Sequence, residues 1–158
     1  MANSTLTTPD SRPLRIALIG AGRHAQHHAR AILRCPGVQL VAVADPSDAA
    51  QAAMRDIVPG IGCFKTPEEL FASERLNVVH IITPPASHAP LARMAIKAGC
   101  HIYVEKPFTE SVEDAQQILD EASAKGLRVC AGHQLLYEPP TRVLTQYLSS
   151  IGRVVHVE

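Results

Sequence analysis

Glu105 and Lys106 stand side by side between an apolar run and a proline, in Tyr103-Val104-Glu105-Lys106-Pro107-Phe108. An ammonium there can hydrogen-bond a hydroxyl and stabilise negative charge developing on its oxygen. The carboxylate beside it has two readings: it orients the lysine, or it caps a neighbouring backbone N–H. Pro107 fixes how the lysine is presented. A second set of residues lies near the start, in Gly20-Ala21-Gly22-Arg23-His24-Ala25, a G-x-G-x-x-A pattern after an apolar run and before a helical one. Glycines there permit a tight turn and close approach of backbone to a pyrophosphate, while the small residue at Ala25 lets helix and strand pack. The helix N-terminus, with Arg23 and His24 in its first turn, then faces the phosphates. Asp45 lies 20 residues beyond Ala25, at the end of the second apolar run. Its carboxylate is placed to accept hydrogen bonds from an adenosine ribose.

The residues after Asp45 are Pro46, Ser47 and Asp48, with no arginine to receive a 2′-phosphate. A phosphate there would meet two carboxylates, so NAD is expected in preference to NADP, with Arg23 the cation that could offset this by touching phosphate. Two further polar groups follow apolar runs: Thr83-Pro84-Pro85-Ala86-Ser87-His88, and His133-Gln134. His88 opens a helix after the proline turn, and both a cofactor contact and an ordinary helix-start position are open to it.

The elements that must position these residues are short apolar runs at 14–19, 38–44, 61–64, 78–83, 101–104 and 127–131, alternating with helical patterns. Most lack strict alternation, as strands buried on both faces do, which predicts an α/β fold with a doubly wound parallel sheet. After Ser111 a capping box is completed by Asp114, and Val112, Ala115, Ile118, Leu119 and Ala122 form one apolar stripe before Gly126. Ser87 and Pro90 open a helix whose Leu91, Met94, Ala95 and Ala98 are expected to face inward until Gly99. A further helix is expected over 141–150. In an open parallel sheet ligands bind beyond the carboxyl ends of the strands, where every polar group named above falls. Glu105 and Lys106 then belong at the nicotinamide end of a dinucleotide.

The bulk numbers agree with a small-molecule partner. The 158 residues fit one domain, and 15 basic residues balance 15 acidic ones without a block of like charge. That leaves no electrostatic footprint for nucleic acid or an anionic membrane. The opening MANSTLTTPDSRP lacks the basic start and apolar core of a secretory signal, and no apolar run approaches membrane-spanning length. A cytoplasmic protein with a disordered arm over residues 1–13 is expected. Cys35, Cys63, Cys100 and Cys130 contain no C-x-x-C pair and are expected as buried reduced thiols. Among eight histidines, His24 and His28 have the i, i+4 helix spacing that metal pairs use. No third ligand lies close in sequence, so they are expected as an exposed, unliganded pair and no metal is assigned. His80 and His101 lie inside apolar strands and are expected to be hydrogen-bonded there.

Taken together, G-x-G-x-x-A, the strand-terminal Asp45, T-P-P-x-x-H, E-K-P and the closing IGRVVHVE resemble the N-terminal half of the glucose-fructose oxidoreductase/inositol dehydrogenase (Gfo/Idh/MocA) family, over residues 14–158. The resemblance implies a Rossmann NAD(P)-binding domain over 14–150, belonging to an oxidoreductase that acts on a sugar, polyol or sugar-nucleotide hydroxyl. It makes Lys106 the catalytic residue, touching the nicotinamide ribose and the substrate hydroxyl, and makes the Lys106-Pro107 bond cis. The cofactor positions would be Gly20, Gly22, Arg23, His24, Ala25, Asp45, Thr83, Pro84, His88, Glu105, Lys106, Pro107 and Gln134. Many members carry an arginine or asparagine soon after the sixth strand. Here the chain reads AGHQLLYEPP, so His133, Gln134 and Tyr137 are loose matches. The family's second domain, with its acid/base histidine, is missing, and residues 151–158 resemble that domain's first strand. The chain is expected to continue in nature. As it stands the tail should fray or pair with another copy as a homo-oligomer, and the domain should bind cofactor without turnover. The alternative is a non-catalytic NAD(P)-binding sensor or regulatory module. A methyltransferase also uses a glycine loop and a following acid but has no use for E-K-P.

Overall fold

The computed structural model describes residues 12–148, 150, 152 and 153. Residues 1–11 of the expected arm, and 151 and 154–158 of the expected second-domain strand, lie outside the described residues. The apolar runs form β1 (Leu14–Ile19), β2 (Val38–Ala44), β3 (Gly62–Phe64), β4 (Val78–Ile81), β5 (His101–Val104) and β6 (Val129–Ala131). They make one sheet in the order β3-β2-β1-β4-β5-β6, with every neighbouring pair parallel. Between them run α1 (Arg23–Ile32), α2 (Asp48–Ile57), α3 (Pro67–Ser73), α4 (His88–Lys97) and α5 (Val112–Ala124), with α6 (Pro139–Tyr147) after β6. Ser47, Thr66 and Ser111 cap α2, α3 and α5 by accepting from the N–H groups of Ala50, Glu69 and Asp114. Among the described residues no helix is long and apolar enough to cross a membrane.

Side chains alternate across a strand, so each strand feeds two cores. Ala17, Ile19, Val79, Ile81, Ile102 and Val104 pack against α3, α4 and α5. Ile16, Leu18, Leu40 and Val43 pack against Ala25, Ala29 and Ile32 of α1 and Met54 of α2. The same alternation sends His80 of β4 and Tyr103 of β5 to the α1 face. There His28 meets both rings, at centroid distances of 5.4 and 5.2 Å, and His80 stacks on Tyr103 at 4.8 Å. His101, facing the same way from the far end of β5, accepts from the Arg128 N–H through Nδ1.

Several expected faces are corrected. The buried stripe of α4 is His88, Ala92, Ala95 and Ile96, whereas Ala98 is exposed and Leu91 and Met94 are half-buried. On α5 Ile118 and Ala122 are buried, but Val112 and Leu119 face water. β4 ends at Ile81 and β6 begins at Val129, because the flanking residues turn into the loops. All four cysteines are free. Cys100 is buried, which pushes its thiol up to about 11, but Cys35 is exposed at the end of α1, against expectation.

Two measurements follow from this packing. Ile118→Ala should lower the unfolding free energy in urea by about 2–5 kcal/mol, as for other fully buried large-to-small changes. Leu119→Ala, at the solvent face, should cost under about 0.5 kcal/mol. The second concerns pH. Burial, and then the neighbouring His28, push the His80 imidazole down from 6.5 to about 4, against an opposing pull from Glu105. His28 is lowered as well, chiefly by burial. Between about pH 6.5 and 4 the unfolded chain therefore holds more protons than the folded one, so stability falls on acidification through that window. In metal-free buffer the loss attributable to His80 should be on the order of 3 kcal/mol by pH 4. NMR of the His80 ring should show it still neutral at pH 5; titration near 6.5 would refute the assignment.

Candidate functional site

At the end of β1 the chain turns through Gly20, whose φ is +96° and whose N–H donates to the Ala44 carbonyl at 2.8 Å. A Cβ on Gly20 would lie 2.5 Å from the Ile82 carbonyl oxygen, so only glycine fits. Gly22 differs: nothing lies within 4 Å of where its Cβ would be, so the space beside it is open to a ligand. Ala25 is fully buried against the sheet. The first turn of α1 carries no acidic residue, unlike those of α2, α3 and α5. Its first backbone N–H groups lack partners within the helix, as at any helix start, and so suit an anion. Arg23 and His24 are exposed there.

Asp45 ties this loop down. Its Oδ2 accepts from the Ala21 N–H at 2.7 Å and its Oδ1 from the Ser47 N–H at 2.8 Å. Each carboxylate oxygen keeps a lone pair for a ribose hydroxyl. A cleft of about 460 Å³ runs past Gly20, Gly22, Asp45, Lys65, Thr83 and Pro84. Sequence reasoning missed two residues here. Buried Gln51 donates to the carbonyls of Asp45 and Phe64, at 2.7 and 2.9 Å, fastening the ends of β2 and β3. Lys65 bonds Asp48 Oδ1 at 2.6 Å and the Pro46 carbonyl at 3.0 Å. Lys65 is thus a second cation beside the two carboxylates, and it holds the Asp48 carboxyl below its ordinary value, chiefly through that hydrogen bond. Neither contact had a local signal; both depend on β3 lying next to β2.

At the ends of β4 and β5 the Lys106-Pro107 bond is cis, as expected. His88 is 1% exposed, with Nδ1 2.8 Å from the Pro107 carbonyl and Nε2 2.8 Å from the Thr83 carbonyl. It has no free polar atom for a ligand and instead joins the two turns, which corrects its expected place as a cofactor contact. Lys106 is exposed, and its backbone N–H donates to Glu105 Oε2 at 3.2 Å. The capping role considered for Glu105 is thus present. Gln134 and His133 are exposed beyond β6.

Glu105 is 7% exposed. Its Oε1 lies 3.1 Å from His28 Nε2, 3.5 Å from His24 Nε2 and 3.4 Å from the Tyr103 hydroxyl. Burial, and then the Glu105 charge, push the Tyr103 phenol up to about 12. Gly132, directly after β6, leaves room for this group: a Cβ there would lie 2.8 Å from the Tyr103 hydroxyl and 3.0 Å from Glu105 Oε1, so one of them would have to move. The expectation of an exposed histidine pair with no third group is corrected: the His28 side chain is only 13% exposed, and Glu105, 77 residues beyond His28, joins both histidines.

Residues 14–133 match the Gfo/Idh/MocA family, described as "Oxidoreductase family, NAD-binding Rossmann fold". The chain is 36% identical over 118 residues to the inositol 2-dehydrogenase of Agrobacterium fabrum, covering 73% of this chain and 35% of that enzyme. It is 32% identical over 117 residues to the D-glucoside 3-dehydrogenase of Escherichia coli, covering 73% and 33%. The crystal structure of GenD2 from gentamicin A biosynthesis in complex with NAD superimposes with a TM-score of 0.80 at 27% identity, over 90% of this chain and 40% of that one. The chain spans about a third of the length of these curated relatives. A glycine loop against an open cleft, a carboxylate at the end of β2 and a lysine before a cis proline at the end of β5 agree with that match, and the chain belongs to the Gfo/Idh/MocA oxidoreductase family as its NAD-binding Rossmann domain.

Proposed function

We propose that this chain, with residues 14–150 as its dinucleotide-binding unit, is the cofactor-holding half of an oxidoreductase that moves a hydride between a carbinol carbon and NAD. The observation that carries the reading is the placement of the Gly20–Asp45 cleft and of Lys106 at the carboxyl ends of one parallel sheet. The relatives named for inositol and a D-glucoside make a sugar or polyol hydroxyl the expected substrate class. Four unpaired thiols suit a reducing compartment, the cytoplasm.

The residues present fit a dinucleotide. The open space beside Gly22 and the acid-free start of α1 would hold the pyrophosphate, with Arg23 and His24 at its side. Asp45 would take the adenosine ribose, and Thr83 and Pro84 would line the path toward β5. When bound, the nicotinamide supplies the hydride chemistry. Lys106 would donate a hydrogen bond to the reacting substrate oxygen, with Pro107 and Gln134 on the rim around it. Glu105 serves this site from behind, by fixing the backbone that presents the lysine. NAD is preferred to NADP because Asp45 is held in place by two backbone donors and keeps its remaining lone pairs for hydroxyl groups.

Asp45→Ala should weaken NAD(H) binding and narrow its margin over NADP(H) by roughly 1.5–3 kcal/mol, read by calorimetry. Tighter NADP(H) binding by the unsubstituted protein would refute the assignment. Lys106→Met, made in the full reading frame and assayed with polyols and sugars, should leave nucleotide affinity within a few-fold. Turnover should fall by about two to three orders of magnitude, the range for losing one oxyanion donor. Equal losses in affinity and turnover would make Lys106 a cofactor anchor instead.

A further inference from the structure

We propose that His24, His28 and Glu105 form a binding site for a divalent transition-metal ion of the zinc type, at the carboxyl end of the sheet beside Lys106. The proposal does not rest on the oxidoreductase reading, since it concerns side chains that meet whether or not a nucleotide binds.

Two imidazoles and one carboxylate are a ligand set that zinc and its neighbours accept, with a further position left for water. His24 and His28 are one helical turn apart on α1, so both rings reach the same side, and Glu105 enters from β5. A tetrahedral ion with bonds of about 2.0–2.1 Å needs ligand atoms roughly 3.3 Å apart. Glu105 Oε1 lies 3.1 Å from His28 Nε2 and 3.5 Å from His24 Nε2, and all three ligand atoms fall within 4.8 Å of one another. Two edges of the tetrahedron are thus already formed, and the third closes by movement of the His24 ring. That ring is 56% exposed, so the ion has a path in from solvent.

The groups behind the ligands are those a metal site uses to fix them. His28 Nδ1 lies 3.1 Å from His80 Nδ1, and Glu105 Oε2 accepts from the Lys106 N–H. A carboxylate only accepts, so without an ion His28 Nε2–H donates to Glu105, and one proton lies between the Nδ1 atoms of His28 and His80. With the ion on the His28 Nε2 lone pair, His28 Nδ1–H is 3.1 Å from His80 Nδ1 and donates to it, which fixes the ring's orientation. Arg23 and Lys106 are the adjacent cations, and both are exposed to water that screens them.

The test uses the chain without a histidine tag, stripped with EDTA and dialysed, then titrated with ZnCl2 by calorimetry and with CoCl2 by visible absorption. One saturable equivalent is expected, with the d–d bands of a four- or five-coordinate cobalt ion. His24→Gln, at an exposed position, should keep its circular dichroism and lose at least about tenfold in affinity. His80→Leu, which removes only the partner of His28, should lose roughly 10–100-fold. His27→Gln, one residue off the pair, should bind as the unsubstituted protein does. The proposal is overturned if the unsubstituted chain shows no saturable equivalent, if binding survives His24→Gln unchanged, or if His27→Gln abolishes it, since the last result would mean chelation by a surface pair.

Discussion

The contact on which the binding edge depends is the one between Gly20 and the Ile82 carbonyl. β1 and β4 are neighbours in space but distant in sequence, and their ends are tied by the Ile82 N–H to the Ile19 carbonyl at 2.8 Å. With a Cβ at position 20 meeting that carbonyl oxygen at 2.5 Å, the two strands could not end together. The sheet's order reverses at this point, since β1 continues to β2 on one side and abuts β4 on the other. A crevice opens where the connections leave in opposite directions, and the start of α1 is aimed into it. The left-handed turn at Gly20 also brings the Ala21 N–H to Asp45, so one backbone conformation sets both the start of α1 and the carboxylate at the end of β2.

At the end of β5 the organising group is a buried carboxylate, Glu105. An unpaired Glu105 at this depth would be costly, and the fold offsets that cost with hydrogen bonds from several elements. α1 contributes His28, β5 the Tyr103 hydroxyl, the turn after β5 the Lys106 N–H, and Gly132 after β6 leaves the space they occupy. Because burial lowers His28, the group is a network of neutral donors around one charge rather than an ion pair. It couples the residue before Lys106 to α1, the helix that follows the glycine loop.

The strands were legible because parallel strands buried on both faces read as apolar runs, and the start of α5 because Ser111 and Asp114 carry its cap in their own side chains. The inner face of α4 was not, because its stripe begins with His88, a polar residue that becomes core only when Thr83 and Pro107 bring their carbonyls to it. Val112 and Leu119 misled in the opposite direction: they are apolar but exposed, as single surface residues often are. The glycine loop, Asp45 and the E-K-P turn could be found from local sequence, since each is a loop at a strand end. The environment of Glu105 could not, because His28, His80 and Gly132 reach it through strand order, which no short window of sequence contains.

The end of β2 shows how unequal two neighbouring carboxylates are. Asp45 is fixed by two backbone N–H groups and by the Gln51 side chain that holds its own carbonyl, so its position is part of the fold. Asp48 is 88% exposed and Lys65 is 45% exposed, and such a pair is held weakly in water. An incoming ligand can draw Lys65 from Asp48 at little cost, whereas moving Asp45 would release Ala21 and with it the glycine loop. Asp45 is therefore a fixed acceptor at the end of β2, whereas Lys65 is a movable cation beside it.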